Sequence, residues 1–132
     1  MKKRHNLFLL LLVLSIGYLS AQTLTVRIEN ADIGRGYLMV GIFNEEGFPD
    51  NYYKGEKVAV SNEITVVVFD NLPVGKYAIS VYQDSNNNGQ LDRNIFGIPK
   101  EKYGFSNGAR RPNFNDCVFD FSSDKTITIR IR

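Results

Sequence analysis

The chain has 132 residues, of which 43% are hydrophobic and 23% charged, and its 16 basic and 14 acidic side chains give a formal charge of +2. This length suits one domain, and so balanced a charge does not suggest nucleic-acid binding, which calls for a basic face. His5 is the only histidine and Cys117 the only cysteine, so an internal disulfide is excluded.

The first 21 residues have the three-part pattern of an export signal. Basic residues occupy positions 2–4, an unbroken apolar core spans 7–14, and Ser20-Ala21 offers the small residues that signal peptidase prefers. We predict cleavage after Ala21, which leaves residues 22–132 as a single periplasmic or extracellular domain with no membrane span. The alternative is a retained anchor, but small and polar residues interrupt the stretch before the roughly 20 apolar residues that a spanning helix needs.

The predicted mature chain therefore lacks histidine, because His5 lies in the signal. Ser-His and Cys-His catalytic pairs are excluded from it, as are histidine-bearing zinc sites. With 13 basic and 14 acidic side chains, its net charge is close to zero. Stability without a disulfide must come from the apolar core or from a bound ion.

Short apolar runs separated by turn residues follow the signal. Alternation of apolar and polar residues, or a continuous β-branched run, is typical of strands. The predicted strands cover residues 24–28, 37–43, 57–60, 64–69, 77–81, 118–121 and 127–131. About seven strands at this spacing predict an all-β fold, an antiparallel β-sandwich of transthyretin-like or immunoglobulin-like type.

The most specific local pattern follows the 77–81 strand. Oxygen-bearing side chains stand at positions 1, 3, 5 and 9 of a loop that starts at Asp84, and glycine stands at position 6, which is the spacing of a calcium loop. A further carboxylate is expected from a later loop that folds back. The predicted calcium ligands are Asp84, Asn86, Asn88, the Gln90 carbonyl, Asp92 and Glu101.

The same loop departs from the calcium pattern at position 12, where Ile95 replaces the usual bidentate glutamate. Fewer carboxylates predict weak binding, with a Kd on the order of 10⁻⁴ to 10⁻³ M. The alternative is a polar hairpin without an ion, because Asn88-Gly89 is a strong two-residue turn signal.

The second long loop, residues 95–108, is rich in aromatic residues and glycine. Loops of this length are often functional, and aromatic rings with a few polar groups suit a ligand pocket. The candidate ligand-binding residues are Phe96, Tyr103, Phe105 and Asn107. The alternative is that these rings cap the sandwich core.

Two resemblances to known families bear on the predicted fold. The segment 69–77, with Leu72-Pro73 and Gly75 before Tyr77, resembles a phrase of transthyretin-like and collagen-adhesin-B-like sandwiches. The run from Gly75 through the 84–92 loop to 97–107, with Pro112-Asn-Phe114 after it, resembles the bacterial family catalogued as domain of unknown function 2141. That resemblance implies an exported β-sandwich and no particular activity. Gln83 and Cys117 stand where the family often has histidine and a small residue.

These features predict a non-catalytic, calcium-stabilised module that binds an unknown polymer, peptide or envelope partner. One alternative is a purely structural envelope protein, because free sheet edges recruit strands. The other is a hydrolase in which Asp84, Asp92 and Glu101 act with a metal-bound water.

Overall fold

The computed structural model describes residues 21–132, and the predicted signal sequence lies outside the described residues except for Ala21. Eight strands account for most of this region: β1 Ala21–Glu29, β2 Tyr37–Phe43, β3 Lys54–Ala59, β4 Ile64–Pro73, β5 Gly75–Asp84, β6 Tyr103–Phe105, β7 Phe119–Phe121 and β8 Lys125–Arg130. The helical pieces are a 3₁₀ turn, Ser106–Gly108, and a short helix, α1, Phe114–Cys117. No helix within 21–132 is long and apolar enough to cross a membrane.

The strands form two sheets. One has the order β4-β1-β8; the other has the order β3-β2-β5-β6, with β7 also pairing along β5. The predicted all-β sandwich is confirmed. The structure differs from the prediction in two respects, because β6 is an additional strand and β1 pairs with β8 in parallel.

The core lies between the sheets, where alternation along the strands places every second residue inward. On β1, Leu24, Val26 and Ile28 are fully buried, as their alternation predicts. On the facing sheet, Leu38 and Ile42 of the central strand β2 join the same cluster. Full burial of a Leu, Ile or Val side chain contributes about 1.5–3 kcal/mol, so this cluster accounts for much of the stability.

The chain crosses between the sheets where β4 passes into β5. Pro73 ends β4, Val74 connects, and Gly75 begins β5. The Tyr77 hydroxyl donates to the Pro73 carbonyl oxygen at 2.6 Å, which closes this corner. Burial raises the pKa of the Tyr77 phenol, with a smaller contribution from Tyr53.

A second apolar cluster covers the outer face of β5. Ala78, Phe105 and Cys117 are its buried members. The Phe48 ring packs edge-on against the rings of Phe105 and Phe114, with centroids 6.2 and 5.9 Å apart. Loop aromatic residues therefore cover the sheet from outside, so that β5 is packed on both faces.

Cys117 ends α1 within this cluster and is fully buried. Burial raises the pKa of its thiol, which lowers the thiolate fraction that reacts near neutral pH. We expect a thiol reagent such as DTNB to modify Cys117 only after the protein is unfolded in urea. Rapid stoichiometric labelling of the folded protein would contradict this burial.

Candidate functional site

The candidate site lies where β5 ends. Asp84 is the last residue of β5 and is fully buried, although its side chain is a carboxylate. The next strand in sequence is β6, so the connection runs from Ser85 to Lys102. Asn88-Gly89 lies within this connection and does not join two strands as a two-residue hairpin turn.

The Asp84 carboxylate organises the first half of this connection. Its Oδ1 accepts from the Asn88 backbone N–H at 3.1 Å, and its Oδ2 accepts from the Gly89 N–H at 2.7 Å. Gly89 has a φ of +78°, a left-handed conformation that glycine adopts at little cost. The loop therefore curls around a buried carboxylate, which explains why glycine stands at position 6.

Three further side chains meet at the open side of the curl. The Asp92 carboxylate accepts from Asn86 Nδ2 at 2.6 Å and from Asn88 Nδ2 at 2.7 Å. Gln90 contributes its backbone N–H, which donates to Asn88 Oδ1 at 3.0 Å, while its side chain is exposed. The structure thus joins positions 1, 3, 5 and 9 of the predicted calcium loop into one hydrogen-bonded group.

Glu101 reaches this group from the far end of the connection. Its carboxylate accepts from the Ser85 N–H at 3.0 Å and from the Asp92 N–H at 3.1 Å. One side chain therefore fastens the start and the end of the loop to each other. Sequence reasoning placed Glu101 at the loop as a metal ligand; its contacts here are with the backbone.

The donor chemistry of this group suits a hard cation. Carboxylate and carboxamide oxygens are the ligands that calcium takes. An amide carries its oxygen and its NH₂ group on one carbon, so rotation about the Cβ–Cγ bond would exchange the groups that Asn86 and Asn88 present to Asp92. Burial, followed by the charges of Asp84 and Glu101, raises the pKa of the neighbouring Tyr82 phenol, which indicates a locally negative potential.

The candidate metal ligands at this loop are not all carboxylates. Within residues 21–132, no three Asp, Glu, His or Cys side chains are grouped to hold a metal ion. The group at the loop combines two carboxylates, Asp84 and Asp92, with two carboxamides. Fewer charged ligands lower calcium affinity, so weak calcium binding at this loop stays a prediction.

A neighbouring loop, residues 30–36, is hydrogen-bonded to the end of β5 next to Asp84. The Gln83 side chain is 1% exposed; its Oε1 accepts from the Asp32 N–H, and its Nε2 donates to the carbonyls of Asp32 and Arg35 at 2.8 and 2.7 Å. Lys102 Nζ adds an ion pair with Asp32 at 2.8 Å. Sequence reasoning did not identify this clamp, although a glutamine at an inward position of β5 was a signal for it.

Gly36 sets how closely that loop approaches the site. It has a φ of +57°, and a Cβ added there would lie 1.9 Å from the Asp84 carbonyl oxygen. Only glycine allows the two backbones to pack at this distance. The position of Asp84 therefore depends on a residue almost fifty positions earlier in the chain.

A family model described as "Uncharacterized protein conserved in bacteria (DUF2141)" matches residues 26–130. The chain belongs to the DUF2141 family. No curated protein and no solved structure matches this DUF2141 chain. The family match spans the site, from within β1 to the end of β8, and its description names no activity.

The four candidate ligand residues of the DUF2141 chain do not meet in one pocket. The rings of Tyr103 and Phe105 pack against each other in the second apolar cluster, with centroids 5.8 Å apart. Asn107 donates from Nδ2 to the carbonyls of Asp116 and Val118. Phe96 stands apart at the tip of the 85–102 connection and is 80% exposed. Two of the rings thus cap the sheet, and one faces solvent.

Proposed function

We propose that this protein is an exported, non-catalytic β-sandwich module whose 84–92 loop binds calcium weakly and which binds an envelope or extracellular partner. The observation that carries the proposal is the convergence of Asp84, Asn86, Asn88 and Asp92. Calcium bound to these oxygens would hold the loop closed and would stabilise the folded chain, since a ligand that binds only the folded state raises its stability.

The contacts of the carboxylates favour binding over catalysis. Both oxygens of Asp84 and both of Glu101 accept from backbone N–H groups of the loop. A carboxylate oxygen that accepts one N–H retains a lone pair that can bind calcium, whereas a general acid or base must also take up a proton, which would weaken these N–H bonds. For this reason we rank the metal-assisted hydrolase, which would use Asp84, Asp92 and Glu101, below the binding module.

A specific observation favours the second candidate, a structural envelope protein. β4 is an edge strand of its sheet, and Ile64, Val66 and Val68 are 41%, 53% and 50% exposed on its outer face. Free edges with apolar neighbours recruit further strands. Recovery of only the free monomer from native envelope extracts would count against this candidate.

The calcium proposal predicts a shift in thermal stability that depends on Asp92. At a calcium concentration ten times Kd, stability should rise by about 1.4 kcal/mol, or by on the order of 5 °C in Tm for a domain of this size. Calorimetry of the exported protein in about 10 mM calcium and in EDTA measures this. Asp92→Asn should abolish the rise and leave the EDTA value almost unchanged, because within residues 21–132 the Asp92 side chain accepts only from Asn86 and Asn88.

Asp50→Asn is the matched control. Asp50 is exposed in the β2–β3 loop, so this change removes the same charge without touching the site. It should keep the full calcium response. An equal response in Asp92→Asn and in the unaltered protein would place any calcium elsewhere, and no response at about 10 mM would remove the ion from the proposal.

A further inference from the structure

The segment 93–100, called the tip below, presents three large apolar side chains to solvent. Ile95, Phe96 and Ile98 are 94%, 80% and 59% exposed. Ile95 and Phe96 exceed every other large apolar residue of 21–132 in exposure. Single exposed apolar residues are ordinary, but three within four positions make a patch that usually marks an interaction site.

Hydrogen bonds fix the shape of the tip. Asn94 Oδ1 accepts from the N–H groups of Phe96 and Ile98 at 2.9 and 3.0 Å. The Asn94 N–H donates to the Ile98 carbonyl, and the Gly97 N–H donates to the Asn94 carbonyl. Arg93 Nη1 donates to the Gly97 carbonyl at 3.0 Å. A closed, hydrogen-bonded turn therefore holds these apolar side chains toward solvent.

This closed turn also gives several backbone N–H and carbonyl groups the hydrogen-bond partners that they would need in an apolar environment. A polar backbone group that enters lipid without a partner costs several kcal/mol. The N–H groups of Phe96, Gly97 and Ile98 all have partners inside the tip, as do the carbonyls of Asn94 and Gly97. These paired groups can thus leave water without losing hydrogen bonds, whereas the Ile95 N–H and the carbonyls of Ile95 and Phe96 have no partner within the tip.

Within the tip, the charged side chains have one sign. Arg93 and Lys100 are its first and last residues, both exposed, and no acidic residue stands between them. The nearest acidic residues, Asp92 and Glu101, have their carboxylates on Asn amides and backbone N–H groups of the loop. Apolar side chains with a basic rim match a bilayer surface, where acyl chains lie beneath anionic phosphate groups.

The size of the tip favours a bilayer over a protein pocket. A stable protein–protein interface buries about 800 Å² on each partner, which is more than three side chains of roughly 150–250 Å² or less can supply. The adjoining loop surface is polar, because Asn86, Asn88 and Gln90 are exposed there. A bilayer accepts a small convex apolar tip without a matching pocket.

We propose that the tip docks this protein onto an anionic phospholipid bilayer, with Ile95, Phe96 and Ile98 inserted to the acyl boundary and Arg93 and Lys100 at the phosphates. The inference rests on the proposed function for the envelope location of the protein and names the partner. It does not require calcium, because the hydrogen bonds of the tip are its own.

The chain contains no tryptophan, so Phe96→Trp supplies a single fluorescent reporter at the tip. The protein is purified after export, and its N-terminus is verified by mass spectrometry so that no retained leader anchors it. With vesicles of equal phosphatidylglycerol and phosphatidylcholine, we expect a blue-shifted emission that brominated acyl chains quench. Val74→Trp is the control: Val74 is 55% exposed and lies at the opposite end of β5, so its emission should not shift.

Two further variants separate the apolar and charged contributions. Phe96→Ser should lower the vesicle partition coefficient roughly tenfold or more, because the ring is the largest inserted group. Lys100→Gln should lower it on anionic vesicles only, by roughly fivefold, and less at high salt.

Each assay is run in calcium and in EDTA. Absence of an emission shift of Phe96→Trp on anionic vesicles in both conditions overturns the docking proposal. The thermal unfolding experiments with calcium test the calcium proposal separately. A shift that grows with protein concentration without vesicles would assign the tip to a second copy of the chain and would also overturn it.

Discussion

Gln83→Met is expected to lower the free energy of unfolding by about 2–4 kcal/mol. Methionine fills a similar volume, but it removes the donor and the acceptor that satisfy the Asp32 N–H and the carbonyls of Asp32 and Arg35. An unsatisfied buried polar group costs about 1–3 kcal/mol, and the partial exposure of the 30–36 loop reduces that cost. Urea unfolding should give a lower midpoint with an unchanged slope.

Gln90→Met provides the matched control for that change. Gln90 is exposed in the 84–92 loop, and the substitution leaves its backbone N–H bond to Asn88 intact. Its effect should stay within about 0.5 kcal/mol. If both substitutions cost the same, the buried amide of Gln83 does not hold the 30–36 loop as we describe.

Gly36→Ala is expected to destabilise the protein by more than about 3 kcal/mol and to weaken its calcium response. A left-handed backbone costs a non-glycine residue about 1–2 kcal/mol. The new Cβ would also lie 1.9 Å from the Asp84 carbonyl oxygen and 2.8 Å from the Ser85 Cα, so the backbone at the start of the 84–92 loop must move. Urea unfolding and calcium titration measure the two effects.

Gly34→Ala separates the contact from the backbone strain. Gly34 has a φ of +75° in the same loop, but a Cβ added there would meet no atom within 4 Å. It should cost only the conformational penalty of about 1–2 kcal/mol and keep the calcium response. Equal losses in the two alanine variants would mean that the close approach at Gly36 does not position Asp84.

The strands that alternate were predictable from sequence because their burial depends on one local period. Leu24, Val26 and Ile28 occupy the inward positions that alternation assigns. β6 was missed because three residues with a central glycine, Tyr103–Phe105, offer no alternation. The parallel pairing of β1 with β8 was also missed, since partners a hundred positions apart leave no local signal.

The same difference between local and long-range contacts explains which site residues could be predicted from the sequence. Asp84, Asn86, Asn88 and Asp92 could be grouped in advance because one tight curl brings them together, and its spacing is visible in the sequence. Gln83 and Gly36 act across strands β2 and β5, so their contacts exist only in the folded chain. Composition also could not tell that Phe105 is buried in the second apolar cluster while Phe96 faces solvent.

The parallel pairing of the first and last strands has a mechanical consequence. β1 and β8 pair side by side from Leu24 with Lys125 to Glu29 with Arg130. A force that pulls residues 21 and 132 apart acts along these two strands in opposite directions, which loads their hydrogen bonds in shear. Bonds under shear carry the load together instead of breaking one after another from an end. The sandwich should therefore resist tension along this axis more strongly than its number of hydrogen bonds suggests.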